Sequence, residues 1–255
     1  MCLLALALAT SPAMAADSWF AGADTQWPGR NDLLLENNVA GSQAWGLVPP
    51  FRAGARDRTS VGIGAGATFS GRVRVTSTAD WLCDHTDAGG SSCGWGDSRL
   101  GTVVRALPLG PVDVLLGWEA KMPNARDEGE LGTDETDVLF GGALLYTHGP
   151  YRAGVGGGLG IRGNPLRFAN QDDVPMLRVD AAYVATWWRV RPFLVVDFNT
   201  SRNPTRAEAG VGARFGTRFF ADVEGAAGLT PAEADARVLL RLGFAMALPE
   251  HPSGE

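Results

Sequence analysis

Histidine, clustered carboxylate, a glycine run and cysteine are the residue types here that could carry chemistry. A hydrolytic Ser–His pair needs its base held by a third group. His85 lies in a polar stretch beside Ser91 and Ser92, His148 precedes the turn pair Gly149-Pro150, and His251 is in the C-terminal tail. None sits in a segment patterned to hold it, so each reads as a solvated connection. Asp127, Glu128, Glu130, Asp134, Glu135 and Asp137 form an acidic run. Hard cations gather several carboxylates, but the fixed spacing of a calcium loop is missing, and a solvated loop is expected. Gly154-Val155-Gly156-Gly157-Gly158-Leu159-Gly160 imitates a phosphate-binding run. That chemistry needs a helix to follow, and Ile161-Arg162-Gly163-Asn164-Pro165 ends a strand instead. Small residues leaving room on an inward face explain the run better. No catalytic residue, cofactor or metal is expected.

Cys83 and Cys93 lie ten residues apart in the expected long polar loop Cys83–Asp97 and flank Asp84–Ser92. In an oxidising compartment such a pair reads as a disulfide. A zinc pair would need more ligands, and His85 is the only one nearby; the spacing matches no zinc pattern. Export is expected from the N-terminus. Cys2 to Ala9 is apolar, Pro12 breaks the run, and Ala13-Met14-Ala15 reads as a cleavage site, so residues 1–15 are expected to be a signal peptide. Nothing before Asp17 is charged, which places the expected true start upstream of Met1. The alternative for this segment is a short buried helix.

Composition then narrows the scaffold. The chain has 255 residues with 34 Gly and 15 Pro, which break helices and argue against a bundle. No apolar run reaches the roughly 18 residues of a spanning helix. Acidic residues number 28 against 22 basic ones, so no nucleic-acid partner is expected.

Alternation is the dominant pattern. Val73, Val75, Ser77, Ala79 and Trp81 fall on one parity, while Arg72, Arg74, Thr76, Thr78 and Asp80 fall on the other. Ten residues of such alternation predict a half-buried strand. The pattern recurs over 112–121, 152–162, 177–183, 208–215, 218–224 and 237–248, and more weakly near 59–69, 99–107, 136–147 and 190–199. Short links marked by Gly or Pro alternate with long polar ones. They fall near Ser70-Gly71, Pro108–Pro111, His148–Pro150, Trp188-Arg189 and Gly216-Thr217. Alternating short turns and long loops is the pattern of an outer-membrane barrel. Strand parity demands one more strand within Leu33–Leu47. The expectation is an all-β fold, a transmembrane antiparallel up-and-down β-barrel of twelve strands over 16–248, with a polar tail at 249–255.

Parity alone does not say whether the apolar face meets lipid or forms a soluble core. Three features favour lipid. Charges of both signs recur on the polar parity of nearly every strand. Trp81, Trp118, Tyr146, Tyr151, Trp187, Trp188, Phe198 and Phe219 lie near strand ends, as interfacial aromatics do. The final strand is strongly patterned and carries Phe244. The inward charges are then the candidate functional residues: Arg72, Arg74, Asp80, Arg99, Arg105, Asp113, Glu119, Lys121, Asp137, Arg152, Arg162, Arg178, Asp180, Arg191, Asp197, Glu208, Arg214, Arg218, Asp222, Glu224, Arg237 and Arg241. Paired across strands they would lock the barrel; arranged in rings they would select permeants. Both signs are well represented, so strong ion selectivity is not expected. Lys121 and Asp137 should meet at one mouth, and the acidic loop Met122–Asp134 between them is a candidate constriction.

The stretch Asp113 to Tyr146 adds a resemblance. Gly117-Trp118-Glu119-Ala120-Lys121-Met122-Pro123, followed by Leu131-Gly132-Thr133-Asp134-Glu135-Thr136-Asp137, resembles the outer-membrane proteins associated with phenol meta-cleavage pathways. In that family a strand ends in Lys-x-Pro and a Gly-Thr-Gly-like turn leads to an Asp. Here Asp134 replaces the second Gly, and Asn124-Ala125 replaces a Thr-Gly. The likeness covers about 35 residues and transfers no catalytic residue. It implies a barrel that helps small hydrophobic or aromatic compounds cross the outer membrane. The function expected is a passive channel or uptake protein, with outer-membrane lipid, a small-molecule permeant and the barrel-assembly machinery as partners. The alternatives are a lipid-modifying outer-membrane enzyme and a structural surface barrel with a plugged lumen.

Overall fold

The computed structural model describes residues 32–43, 56–86, 90–125, 136–163, 173–198, 206–230 and 236–247. The expected signal segment, the C-terminal tail and most of the acidic loop lie outside the described residues. Thirteen strands follow in order: β1 (Asp32–Gln43), β2 (Arg56–Phe69), β3 (Val73–Thr86), β4 (Ser91–Trp95), β5 (Ser98–Leu109), β6 (Val112–Met122), β7 (Asp137–His148), β8 (Tyr151–Ile161), β9 (Val174–Val184), β10 (Trp188–Asp197), β11 (Arg206–Gly216), β12 (Phe219–Gly228) and β13 (Ala236–Ala247).

All pairings are antiparallel. Sequential neighbours pair along the chain, and β1 bonds both β2 and β13. With β2 on β3 and β3 on β5, each of twelve wall strands has two partners. The thirteenth, β4, bonds the upper part of β3. The wall is thus a twelve-stranded up-and-down barrel, and such closure satisfies backbone groups that lipid cannot.

The short turns lie at one end, here the turn end. Gly110 (φ 63°) and Gly149 (φ 57°) each precede a proline there. A positive φ followed by the fixed negative φ of proline is the two-residue hairpin geometry that matches strand twist. The strand ends that precede and follow the long connections lie at the opposite end, here the loop end.

The two faces of the wall are inverted relative to a soluble barrel. Leu240 is 42% and Leu242 56% exposed, while Arg237 on the same strand is 4% exposed. Val61, Ile63, Leu116, Leu144, Val155, Val179, Val211 and Val223 are likewise exposed on the outside. An outward apolar band with charges inside is the membrane-barrel arrangement. Aromatic pairs ring the turn end: Tyr151 with Tyr183, Tyr183 with Trp188, Trp187 with Phe215, and Phe219 with Phe244. At the loop end Trp81 meets Trp95 edge-on, with ring centroids 5.6 Å apart.

Three local details differ from expectation. Cys83 and Cys93 do not sit in a loop: they are direct cross-strand partners on β3 and β4, joined by a disulfide with Cα atoms 4.2 Å apart. The polar composition of 84–92 conceals this hairpin. Trp188-Arg189 is not a link but opens β10, the turn falling at 185–187. Arg72 is in the turn before β3 and is exposed.

Candidate functional site: the lumen wall

Inward side chains sort into three levels. At the loop end, β5 to β8 bring six charges together. Arg99 bonds Glu119 at 3.1 Å, and Lys121 reaches Asp137 at 2.9 Å and Asp97 at 3.4 Å. Arg162, just past β8, shares Asp137 at 3.4 Å. The Lys121–Asp137 pair follows from their direct opposition in register. Both side chains are largely buried, so the pair is not the solvent-screened surface bridge expected at an open mouth. The backbone N–H of Ala125 donates to Asp97, which ties the chain after β6 to this cluster. A small pocket opens here, lined by Arg99, Glu119, Lys121, Asp137, Arg162, Leu139, Gly160 and Met176.

At mid-height a ladder of buried charges runs from β9 to β13. Arg178 meets Asp180 at 3.4 Å, and Arg191 lies 3.9 Å from Asp180 and 2.6 Å from Glu224. Arg237 bonds Glu224 at 2.7 Å and Glu208 at 2.9 Å. Two of these contacts skip a strand. Arg191 on β10 reaches Glu224 on β12 across Gly212 of β11, where an added Cβ would sit 3.5 Å from the Glu224 carboxylate and 3.8 Å from the guanidinium. Buried ions of this kind persist only when each has a partner. Phe193 lies between Arg178 and Arg191, whose guanidinium carbons stand 5.5 and 5.2 Å from its ring centroid, a desolvated cation–π arrangement.

At the turn end, Arg105 bonds Asp113 at 2.6 Å. Asp222 is shared by Arg214 and by Arg241, the latter at 3.5 Å. Arg74 donates to the Thr68 hydroxyl at 3.0 Å. Arg218 is in the turn before β12, exposed, with its guanidinium over the Phe244 ring. Asp80 is half-buried on β3, Asp197 buried on β10 and Arg152 half-buried on β8.

Among the described residues, three inward charges escaped the sequence reading: Asp97, Arg189 and Arg206. Asp97 lies between β4 and β5, in a stretch read as loop. Arg189 was read as part of a link, although it shares parity with Arg191 two residues on. Arg206 opens β11 two residues before Glu208, and the same parity would have found it.

Glycine leaves part of the inward surface without side chains. Gly117, Gly141 and Gly158 are consecutive Cα partners on β6, β7 and β8. All three face inward yet remain partly accessible. The row continues to Val103 on β5 and Met176 on β9, both buried. A patch without side chains is thereby framed by apolar groups. Leu115, Leu139, Leu145 and Phe193 extend this inward apolar surface.

Solved structures share the architecture. The chain superimposes on an outer-membrane channel from Pseudomonas putida F1 with a TM-score of 0.69, at 12% identity over 86% of this chain and 96% of that one. The translocator domain of the autotransporter NalP from Neisseria meningitidis gives 0.57, at 12% identity over 92% and 95%. The NanC porin gives 0.55, at 9% identity over 84% and 100%. At such identities the likeness is one of fold: this chain folds as an outer-membrane β-barrel. No family model matches the sequence, and no curated protein sequence matches it either.

Proposed function

We propose that the protein is a passive outer-membrane channel for small molecules with a hydrophobic or aromatic body. The observation that carries this reading is the accessible row of inward glycines on β6–β8, framed by Val103 and Met176. It gives a permeant room and an apolar surface, while the paired charges of β9–β13 hold the wall open. The three structures of the same fold support the location, and one of them is an outer-membrane channel and another a porin. In this reading residues 1–15 direct export, 16–248 form the barrel and 249–255 a polar tail. Folding would then depend on the barrel-assembly machinery and on outer-membrane lipid. A lipid-modifying activity draws no support from His148, which ends β7 on the outward parity and stacks on Tyr146. The test is electrical: purified protein in a planar bilayer should give discrete, voltage-tolerant conductance steps. Folded, heat-modifiable protein that inserts and stays silent would refute the channel.

A further inference from the structure

Total charge in the lumen is mixed, but the barrel register sorts it by height. At the loop end cations and carboxylates interleave in near balance. Toward the turn end, the charged inward residue nearest the rim is Arg74 on β3, Arg105 on β5, Arg152 on β8, Arg189 on β10, Arg214 on β11 and Arg241 on β13. The acidic counterparts are Asp113 and Asp222, with Asp180 the inward charge nearest that end on β9. Arg189 and Arg214 are direct Cα partners on neighbouring strands. Like charges set opposite each other on one face destabilise a sheet, so strand pairing does not account for Arg189 facing Arg214. On β7 and β8 the inward surface just above the arginine row is apolar, with Leu145 opposite Gly154 at the next inward position from Arg152, while on β9 to β12 the buried ion ladder begins there with Asp180, Arg191 and Glu224.

We propose that the turn end of the lumen is an anion-attracting vestibule, and that the permeants are amphipathic organic anions: a small apolar or aromatic body carrying one carboxylate. The inference rests on the channel reading above and deepens it. It depends on the excess of guanidinium over carboxylate in the row and needs no arginine to lack a neighbour, because a cleft with an excess of one sign concentrates counter-ions by focusing. The apolar surface takes the body of the solute while the guanidinium row draws its carboxylate onward.

The experiment uses purified full-length barrel in liposomes and three isosteric probes: benzoate, benzamide and benzamidine. At low salt benzoate should enter at least about threefold faster than benzamidine, with benzamide between. The difference should fade in 1 M KCl, where screening acts within about 3 Å. In a heat-modifiable Arg152→Gln/Arg189→Gln barrel the three rates should converge at low salt as well. Equal wild-type rates for all three probes, or a preference for benzamidine, overturns the vestibule and leaves the channel standing. Failure of all three to pass through folded barrels overturns both. A benzoate preference that survives in 1 M KCl also overturns the proposal, because its origin would then not be the long-range field.

Discussion

The wall of β9–β13 and the wall of β6–β8 solve opposite problems with the same alternating pattern. Between β9 and β13 the inward positions carry large charged groups, including Arg178, Asp180, Arg191, Glu208, Glu224 and Arg237, all at most 9% exposed. Between β6 and β8 the same inward parity holds Gly117, Gly141 and Gly158. At mid-height one side is cross-linked by ions, and the other has a row without side chains. An ion ladder on every strand would fill the lumen, and glycine on every strand would leave nothing to hold its shape. The contrast teaches that rigidity and permeation space are assigned to different arcs of one barrel.

The contrast breaks hardest at Arg237. Arg237→Leu should leave Glu208 and Glu224 buried without their shared cation and cost about 3–5 kcal/mol, read as a lower urea midpoint for unfolding of the refolded barrel. A cost below about 1 kcal/mol would mean the ladder is not structural. Next in size is the outward face of the same strand. Leu240→Arg should cost about 2–4 kcal/mol, because it sets a charge against lipid. The same assay checks it, and an unchanged midpoint would place Leu240 outside the hydrocarbon layer.

Both arcs are partly legible in the sequence. The inward and outward parities of β3, β6 and β13 follow from their residues, because a strand buried on one side must alternate. β1 came from counting: an even number of strands with long and short links in turn left one strand missing. What the sequence withheld is anything that depends on register. The reach of Arg191 over Gly212 to Glu224 needs three strands in their final alignment. The concentration of arginine at the turn end is equally invisible in a chain whose totals are mixed. β4 was missed for a different reason. Ser91, Ser92 and Gly94 read as loop, and pairing with β3 and the Cys83–Cys93 bridge decide their conformation instead. The stretch Asp113 to Tyr146 spans the Lys121–Asp137 pair and two members of the glycine row, Gly117 and Gly141.

The central claim is that water and solute occupy the glycine side of the wall while lipid meets the other. Adjacent positions on β8 test it most directly. Gly158 faces inward and is half-buried; Gly157 faces outward and is exposed. Cys83 and Cys93 are already joined, so a single cysteine introduced at either position is the reactive thiol of the described barrel. In vesicles treated with a charged, water-soluble thiol reagent, Gly158→Cys should be labelled and lose conductance on labelling, while Gly157→Cys should stay unreactive and conduct as before. Labelling at 157 with none at 158 would turn the wall inside out and contradict the account.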